Sequence, residues 1–275
     1  MERLWKRIVS WLALALATVI LWMPIYYFVI GAFKKRTDIV KHPLVIDVSK
    51  MSLDNFSYAF KKMNLFKALG NTGFITVISL LLVIACGSLA GFAVARIRHR
   101  LFQVFYTAII ALMVVPFIGA LIPIVVLINR IGLYGSLWGN VMIQAAWNLP
   151  FSIFLFTGFM RALPKEMEDA AYIDGCSTFG IYGRIFLPLL KPVTATCCIR
   201  AGIGIWNDYL VSNSLLNSAR QPTLMVAVYQ FFGQYVSEYG YAFAGIIMAS
   251  LPIVVMFLFL QKYFIKGLVA GAVKG

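Results

Sequence analysis

The chain has 275 residues, of which 61% are hydrophobic and only 12% are charged. An average soluble domain is roughly 45–50% apolar and 25% charged, so the composition excludes a water-soluble protein and indicates an integral membrane protein. The net charge of +14 does not indicate nucleic acid binding, because the basic residues are scattered between apolar runs and form no basic stripe. Anionic membrane lipid is the simpler partner.

Six apolar segments of about 20 residues follow one another along the chain, and a segment of this kind satisfies its backbone hydrogen bonds in a membrane only as a helix. We therefore predict an all-α integral membrane protein with one transmembrane domain over residues 1–275 and six transmembrane helices. Gly87 and Gly91 form a small-xxx-small pair, which is typical of a close helix contact. The predicted spans are 8–33, 72–95, 104–128, 138–159, 193–216 and 241–264.

The orientation of the spans follows from the Arg and Lys residues in the short connections, which are enriched on the cytoplasmic side. The connections after the second and fourth spans are rich in basic residues, whereas those after the third and fifth carry only Arg130 and Arg220. This bias predicts a cell membrane protein with both termini in the cytoplasm. The eight basic residues of the Lys34–Lys67 connection contradict this bias, because they would lie outside; the four short loops outweigh them.

The connection after the fourth span, residues 161–192, is unusually long and has the features of two helices joined by a turn. Pro164 suits a first helical position, and Glu166, Glu168 and Asp169 favour the positive end of a helix dipole. Asp174 and Gly175 break this helix, and Ser177 caps a second, amphipathic one. The physical pattern fits either a helix that covers the bundle or a ridge that docks a partner.

This connection resembles the EAA loop of permease subunits from binding-protein-dependent ABC importers. The similarity rests on PKEMEDAAYIDGCS and FLPLLKP, although Asp169 stands in place of the usual glutamate and Cys176 in place of an alanine. Other segments resemble the carbohydrate-type branch, in particular the smaller permease of maltose-like systems. They are Pro24–Phe33, Leu53–Phe56, Ala93–Arg100, Val115–Pro123, Arg130–Ser136, Ile205–Tyr209 and Gly267–Gly275.

The resemblance implies a heterodimer with a second permease, two cytoplasmic ATPase subunits and an extracellular solute-binding protein. It implies that an EAA coupling helix docks into the ATPases through Glu168, Asp169, Ala170, Ala171, Asp174 and Gly175. The flexible tail 267–275 would reach between the ATPases through Gly271, Lys274 and Gly275, unless it is a disordered terminus. The polar loop after the fifth span would touch the binding protein through Asn217, Ser218, Arg220 and Gln221, unless it is a plain connection.

Two charged residues, Arg200 and Asp208, fall within the fifth predicted span and are costly in a bilayer. These two residues either form structural pairs or line a solute pathway together with Trp206 and Asn207, and both interpretations are open. Eight helical residues separate the two charges by about 12 Å, which is too far for a direct ion pair.

The sequence offers no catalytic or cofactor-binding chemistry of its own. It has no GxxxxGK[ST] phosphate loop, so ATP and magnesium are expected on partner ATPases, and no metal site or other cofactor is predicted on this chain. The leading interpretation is a permease subunit of an ATP-driven sugar importer that works by alternating access. An ion-coupled secondary transporter or channel is the alternative, while a membrane enzyme lacks any candidate catalytic residues.

Overall fold

The computed structural model describes residues 2–97, 99–233 and 238–272, and all regular elements in these ranges are helical. The described part of the chain therefore confirms the predicted all-α fold. The helices are α1 (Glu2–Ala32), α2 (Arg36–Lys41), α3 (Asp54–Lys62), α4 (Leu65–Arg96), α5 (Arg100–Leu112), α6 (Phe117–Arg130), α7 (Leu137–Arg161), α8 (Glu166–Ile173), α9 (Thr178–Ile181), α10 (Leu187–Leu189), α11 (Lys191–Trp206), α12 (Leu210–Leu215), α13 (Leu224–Tyr229) and α14 (Tyr239–Ala272).

Four of these helices, α1, α4, α7 and α14, are individually long and apolar enough to cross a membrane. Two helix pairs meet the same criteria together but are bent: α5 with α6 by 109°, and 178–189 with α11 by 70°. The described residues therefore contain up to six spans, if each bent pair counts as one.

The bends divide two of the segments that we predicted as spans. The third, 104–128, is interrupted at residues 113–116, because Pro116 has extended backbone angles and begins α6 as its N-cap. The fifth, 193–216, is interrupted after Trp206, where α11 ends; three residues separate it from α12, which begins at Leu210. The last helix continues to Ala272, beyond the predicted end at 264.

The chain forms two compact units, of which the first comprises the residues up to Phe66 and Met225–Leu251. Within this unit, the ring of Phe243 lies against Gly31, so closely that a Cβ there would be 2.6 Å from Cδ2. Asn55 Nδ2 donates to the carbonyl oxygens of Ala32 and Lys34, each at 2.8 Å. Lys34 is itself buried, and its Nζ donates to the His42 carbonyl at 2.8 Å. The basic connection after α1 is therefore a folded element and not a loose loop.

The second unit comprises Lys67–Leu224 and the residues from Pro252 onward. In this unit α4 packs closely on α7 through the two glycines that the sequence singled out. A Cβ on Gly91 would lie 2.8 Å from Phe156 Cβ and 3.1 Å from a backbone nitrogen, and one on Gly87 would collide with Ser152 Oγ. The predicted small-xxx-small contact is confirmed.

A polar seam runs along α7 at four-residue spacing and consists of Asn140, Gln144, Asn148 and Ser152, all buried. Residues four apart share one face of a helix, and this face forms hydrogen bonds with α4, α11 and α12. Asn140 Nδ2 donates to Ser212 Oγ at 3.0 Å, and Ser152 Oγ donates to the Val83 carbonyl at 3.2 Å. Hydrogen bonds of this kind hold membrane helices in register.

Candidate functional site

The connection 161–192 folds as two short helical segments joined by a tight turn. Helix α8 begins at Glu166, two residues after Pro164, so the prediction of Pro164 at the first helical position is wrong. Gly175 has a φ of +79°, which confirms the predicted turn glycine. Ser177 Oγ accepts a hydrogen bond from Gly180 N at 3.2 Å and caps the second segment as predicted.

The second segment continues through Pro188 because the backbone hydrogen bonds before it span five residues instead of four. After α9, residues Tyr182–Phe186 form a π-helical turn, in which the Leu187 N–H bonds to the Tyr182 carbonyl. Pro188 then lies in α10. This segment is attached to α4: Tyr182 Oη and Ser88 Oγ are 2.7 Å apart, and the Phe92 and Phe186 rings are 5.3 Å apart.

Glu168 is buried, although an acid in the first turn of a surface helix is ordinarily solvated. Its side chain is 9% exposed, and its Oε2 lies 3.5 Å from Arg96 Nε. The two atoms attract as charges without forming a hydrogen bond. A buried carboxylate requires such a partner, because desolvation without one is very costly.

Arg96 connects this acid to the ends of two long helices. Its Nη2 donates to the carbonyl oxygens of Met160 at 2.8 Å and Leu163 at 3.1 Å, at the end of α7. Its guanidinium carbon lies 4.9 Å from the centre of the Phe186 ring. Arg96 therefore joins α4, α7, α8 and the π-helical turn at one point, which we call the Arg96 node.

The opposite side of α8 projects into solvent in the described chain. Asp169 and Ala170 are exposed, whereas Ala171 is buried against the second unit's core. Two apolar side chains project most, with Ile173 87% and Phe179 82% exposed. Ile173 ends α8 and Phe179 lies in α9, and large exposed apolar side chains in one short segment indicate an interaction site or a membrane contact.

Arg200 and Asp208 have separate partners, which agrees with the expected absence of an ion pair between them. Arg200 Nη1 donates to Asn148 Oδ1 at 2.9 Å, and the guanidinium lies 4.4 Å from the centre of the Phe151 ring. The Asp208 carboxylate accepts from Ser212 N at 2.9 Å and Ser212 Oγ at 2.8 Å, so it caps α12. Trp206 ends α11, and Asn207 is the exposed residue that follows.

The predicted binding-protein loop is a compact turn. Asn217 Oδ1 accepts from the backbone nitrogens of Ala219 at 3.1 Å and Arg220 at 3.3 Å. The end of the turn is attached to α4, since Asn71 Nδ2 donates to the Pro222 carbonyl at 2.8 Å. Asn217, Ser218 and Arg220 are exposed, and Gln221 is partly buried.

The structure describes only part of the predicted tail. The backbone of Gly271 belongs to α14, although the sequence suggested a flexible segment from Gly267. Lys274 and Gly275 lie outside the described residues. Throughout the described part of the chain, no group of three or more His, Cys, Asp or Glu side chains is placed to hold a metal ion.

Sequence reasoning missed Arg96, Ile173 and Phe179 as residues of this site. Arg96 belongs to the basic run at Ala93–Arg100, which we used to orient the spans and as part of the family resemblance, without assigning Arg96 a partner. Ile173 and Phe179 resembled the apolar face of an interfacial helix, and their spacing alone does not tell membrane contact from protein contact.

Comparison with known proteins gives consistent matches over most of the chain. A permease for the import of melibiose, raffinose and stachyose from Bacillus subtilis is 37% identical and covers 98% of this chain and 97% of its own length. A probable permease for starch degradation products from Thermoanaerobacterium thermosulfurigenes is 32% identical with the same coverage. The crystal structure of a bacterial alginate importer has the same fold, with a TM-score of 0.81 at 21% identity over 96% of this chain and 97% of that one.

The family model for the inner membrane component of binding-protein-dependent transport systems matches residues 84–269. This range contains the Arg96 node, Arg200 and residues 166–181, which comprise α8, the turn and α9 and which we call the α8 segment. The chain belongs to the family of inner membrane components of binding-protein-dependent transport systems.

Proposed function

We propose that this chain is a transmembrane permease subunit of an ATP-driven importer that carries a sugar or an oligosaccharide. The family match carries this proposal, and the relatives that transport melibiose, raffinose, stachyose or starch degradation products support the substrate class. The chain would work with a second permease, two ATPase subunits that bind ATP and magnesium, and a solute-binding protein outside the cell. ATP hydrolysis on the partners would drive alternating access of the spans.

The α8 segment is the proposed contact with an ATPase subunit. Its exposed side offers Asp169, Ala170, Ile173 and Phe179 to a partner, while Glu168 and Ala171 attach its other side to the permease. A helix with apolar projections beside the exposed acids Glu166 and Asp169 suits a groove with polar walls. The Arg96 node would make α8 move together with the ends of α4 and α7, so that closure of the ATPases moves the spans.

Purification of the tagged chain in mild detergent, expressed with the neighbouring genes of its own operon, tests the proposed assembly. An ATPase and a second permease should be recovered with it, and loaded binding protein should stimulate ATP hydrolysis. A chain that transports without any ATPase would instead support an ion-coupled transporter. Ile173→Ser in α8 should lower the amount of ATPase recovered, whereas Val45→Ser, at an exposed position outside α8, should not.

The proposed orientation places the α8 segment in the cytoplasm and the Lys34–Lys67 connection outside. The folded state of that connection supports its being an exception to the charge bias, since Lys34 is sequestered by carbonyl oxygens. Lys50→Cys and Lys165→Cys, each in a background without the four native cysteines, test the orientation with a membrane-impermeant reagent. Only the first should be labelled from outside, and labelling of only the second would invert the topology.

The turn that contains Asn217 is the proposed contact with the solute-binding protein. Because its backbone is held by Asn217 and Asn71, it would present Ser218 and Arg220 in a defined conformation. Ser218→Ala with Arg220→Ala should lower the uptake rate at limiting binding protein and leave assembly unchanged. Unchanged uptake at every concentration of binding protein would make the turn a plain connection.

A further inference from the structure

Arg200 places a permanent charge close to the middle of a membrane-length helix. Its partner Asn148 lies near the centre of the 25-residue α7, and Arg200 reaches it from α11. The depth of this contact along α7 corresponds to the interior of the membrane, where an Arg side chain faces a water-filled cavity, a paired charge or a bound group.

The described contacts of Arg200 leave its charge without a counter-ion. Among the residues that the structure describes, no carboxylate forms an ion pair with it. Asp208, the nearest acid in sequence, is occupied by the N–H groups and hydroxyl at the start of α12. Asn148 accepts one N–H of the guanidinium, which has five, and the Phe151 ring supports one face.

Arg200 also lines a cavity of about 450 Å³. The break between α5 and α6 forms one end of this cavity, through Leu112, Met113 and Val115, and Trp147 and Phe151 of α7 form an aromatic wall. Among its described lining residues, Arg200 is the only charged one. The volume lies within the range of roughly 300–1,000 Å³ that is usual for small-molecule sites.

We propose that Arg200 determines solute specificity in this cavity by binding the carboxylate of an acidic saccharide. A guanidinium offers paired N–H donors that match a carboxylate, and the positive charge is otherwise uncompensated. The aromatic wall supplies an apolar surface for the sugar ring beside the charged group. The inference rests on the proposed importer function, and it adds an anionic group to the substrate class.

Charge-selective modification of a cysteine in the cavity tests the proposal without requiring transport. Ala146 lines the cavity and is exposed, so Ala146→Cys is introduced into the permease complex after its native cysteines are replaced by serine. The complex in lipid nanodiscs is treated with an anionic and a cationic thiosulfonate reagent of similar size. The anionic reagent should react at least several-fold faster relative to the cationic one, and Arg200→Gln should abolish this preference.

Matched variants separate the local charge from the general charge of the protein. Arg200→Lys should keep part of the preference, because it keeps the charge but not the paired donors. Arg130→Gln removes the same charge from an exposed position that does not line the cavity, and it should leave the preference intact. Equal reaction rates of the two reagents in the chain with Arg200, or equal loss in Arg130→Gln, would overturn the proposal.

Protection of the same cysteine identifies the ligand. Digalacturonate should slow its modification in the chain with Arg200 and not in Arg200→Gln, whereas a neutral galactose disaccharide should protect both equally weakly or not at all. Protection by anionic lipid in the nanodisc, with none by digalacturonate, would assign Arg200 to a lipid phosphate and overturn the inference. The complex can fail this test and still contain an ATPase and transport a neutral sugar, so the proposed function and this inference fail separately.

Discussion

Arg96 and Arg200 have similar immediate surroundings in the second unit but differ in how their charge is compensated. Each donates to an oxygen of α7, and each lies over a phenylalanine ring, at 4.9 Å for Arg96 and 4.4 Å for Arg200. Arg96 is buried against Glu168, whereas Arg200 lines a cavity and has no carboxylate partner among the described residues. The first arrangement attaches helices to one another, and the second leaves a charge available to a solute.

The largest effect is expected when the Arg96 node loses one of its two charges. Arg96→Met leaves Glu168 buried without a counter-ion and removes two hydrogen bonds to the end of α7. Breaking a buried pair in this way destabilises by about 3–5 kcal/mol. We expect poor recovery of the assembled complex and a lower midpoint in thermal unfolding of the detergent-solubilised chain.

A double variant distinguishes the ion pair from general packing. Arg96→Met with Glu168→Leu removes both charges, so it should be less destabilised than Arg96→Met alone. A double variant that loses as much stability as the two single variants added together would show that the two side chains do not interact. Arg96 would then lack a compensating carboxylate, as Arg200 does.

Gly175→Ala tests whether the turn after α8 requires a residue without a side chain. Its Cβ would meet no atom within 4 Å, so the cost comes from the φ of +79° alone, which is about 1–2 kcal/mol for a side chain in this region. Gly158→Ala is the matched control, because Gly158 lies inside α7 and also has nothing within 4 Å; it should gain about 0.5–1 kcal/mol. Thermal unfolding of both variants measures the difference, and equal midpoints would exclude strain at Gly175.

Arg200→Met should change the free energy of unfolding far less than Arg96→Met. It loses one hydrogen bond to a charged group, about 1.5–3 kcal/mol, and one cation–π contact, about 0.5–1 kcal/mol. It also removes an unpaired charge, which costs about 2.5–3.5 kcal/mol at a helix centre on insertion scales. The terms oppose each other, so we expect a net change within about 1 kcal/mol by thermal unfolding. A loss comparable to that of Arg96→Met would make Arg200 a structural residue.

The sequence predicted those features that depend on local or periodic patterns. The turn at Gly175, the cap at Ser177 and the Gly87–Gly91 contact follow from residue type and spacing, and the structure has all three. The polar seam of α7 was not predicted, although its signal is present in the sequence, where polar residues repeat every fourth position. We considered only the mean hydropathy of the segment, which is high. The four residues are Asn140, Gln144, Asn148 and Ser152.

The remaining features depend on contacts between distant parts of the chain. Glu168 has the sequence context of a solvated first-turn acid. It is buried because the fold brings α8 against the end of α4, where Arg96 lies 72 positions earlier in the chain. Pro116 predicts a kink or a helix end in the third span, but not a bend of 109° between α5 and α6, since a proline inside an apolar run is compatible with a mild kink or a full break. The cavity beside Arg200 depends on that bend.

The smallest effect on stability is expected for Asp169→Asn, although Asp169 is adjacent to Glu168 on the same helix. Asp169 Oδ1 lies 3.9 Å from Lys165 Nζ, and both side chains are more than half exposed. An exposed pair four residues apart contributes about 0.3–0.5 kcal/mol, so thermal unfolding should hardly change. Stimulation of ATP hydrolysis by loaded binding protein should nevertheless fall severalfold, because the proposed ATPase contact loses one of its two exposed acids. Lys165→Gln breaks the same ion pair from the other side and leaves the acid in place. If both variants lose stimulation equally, the ion pair itself matters and Asp169 is not the contact; if neither loses it, α8 is not the site of coupling.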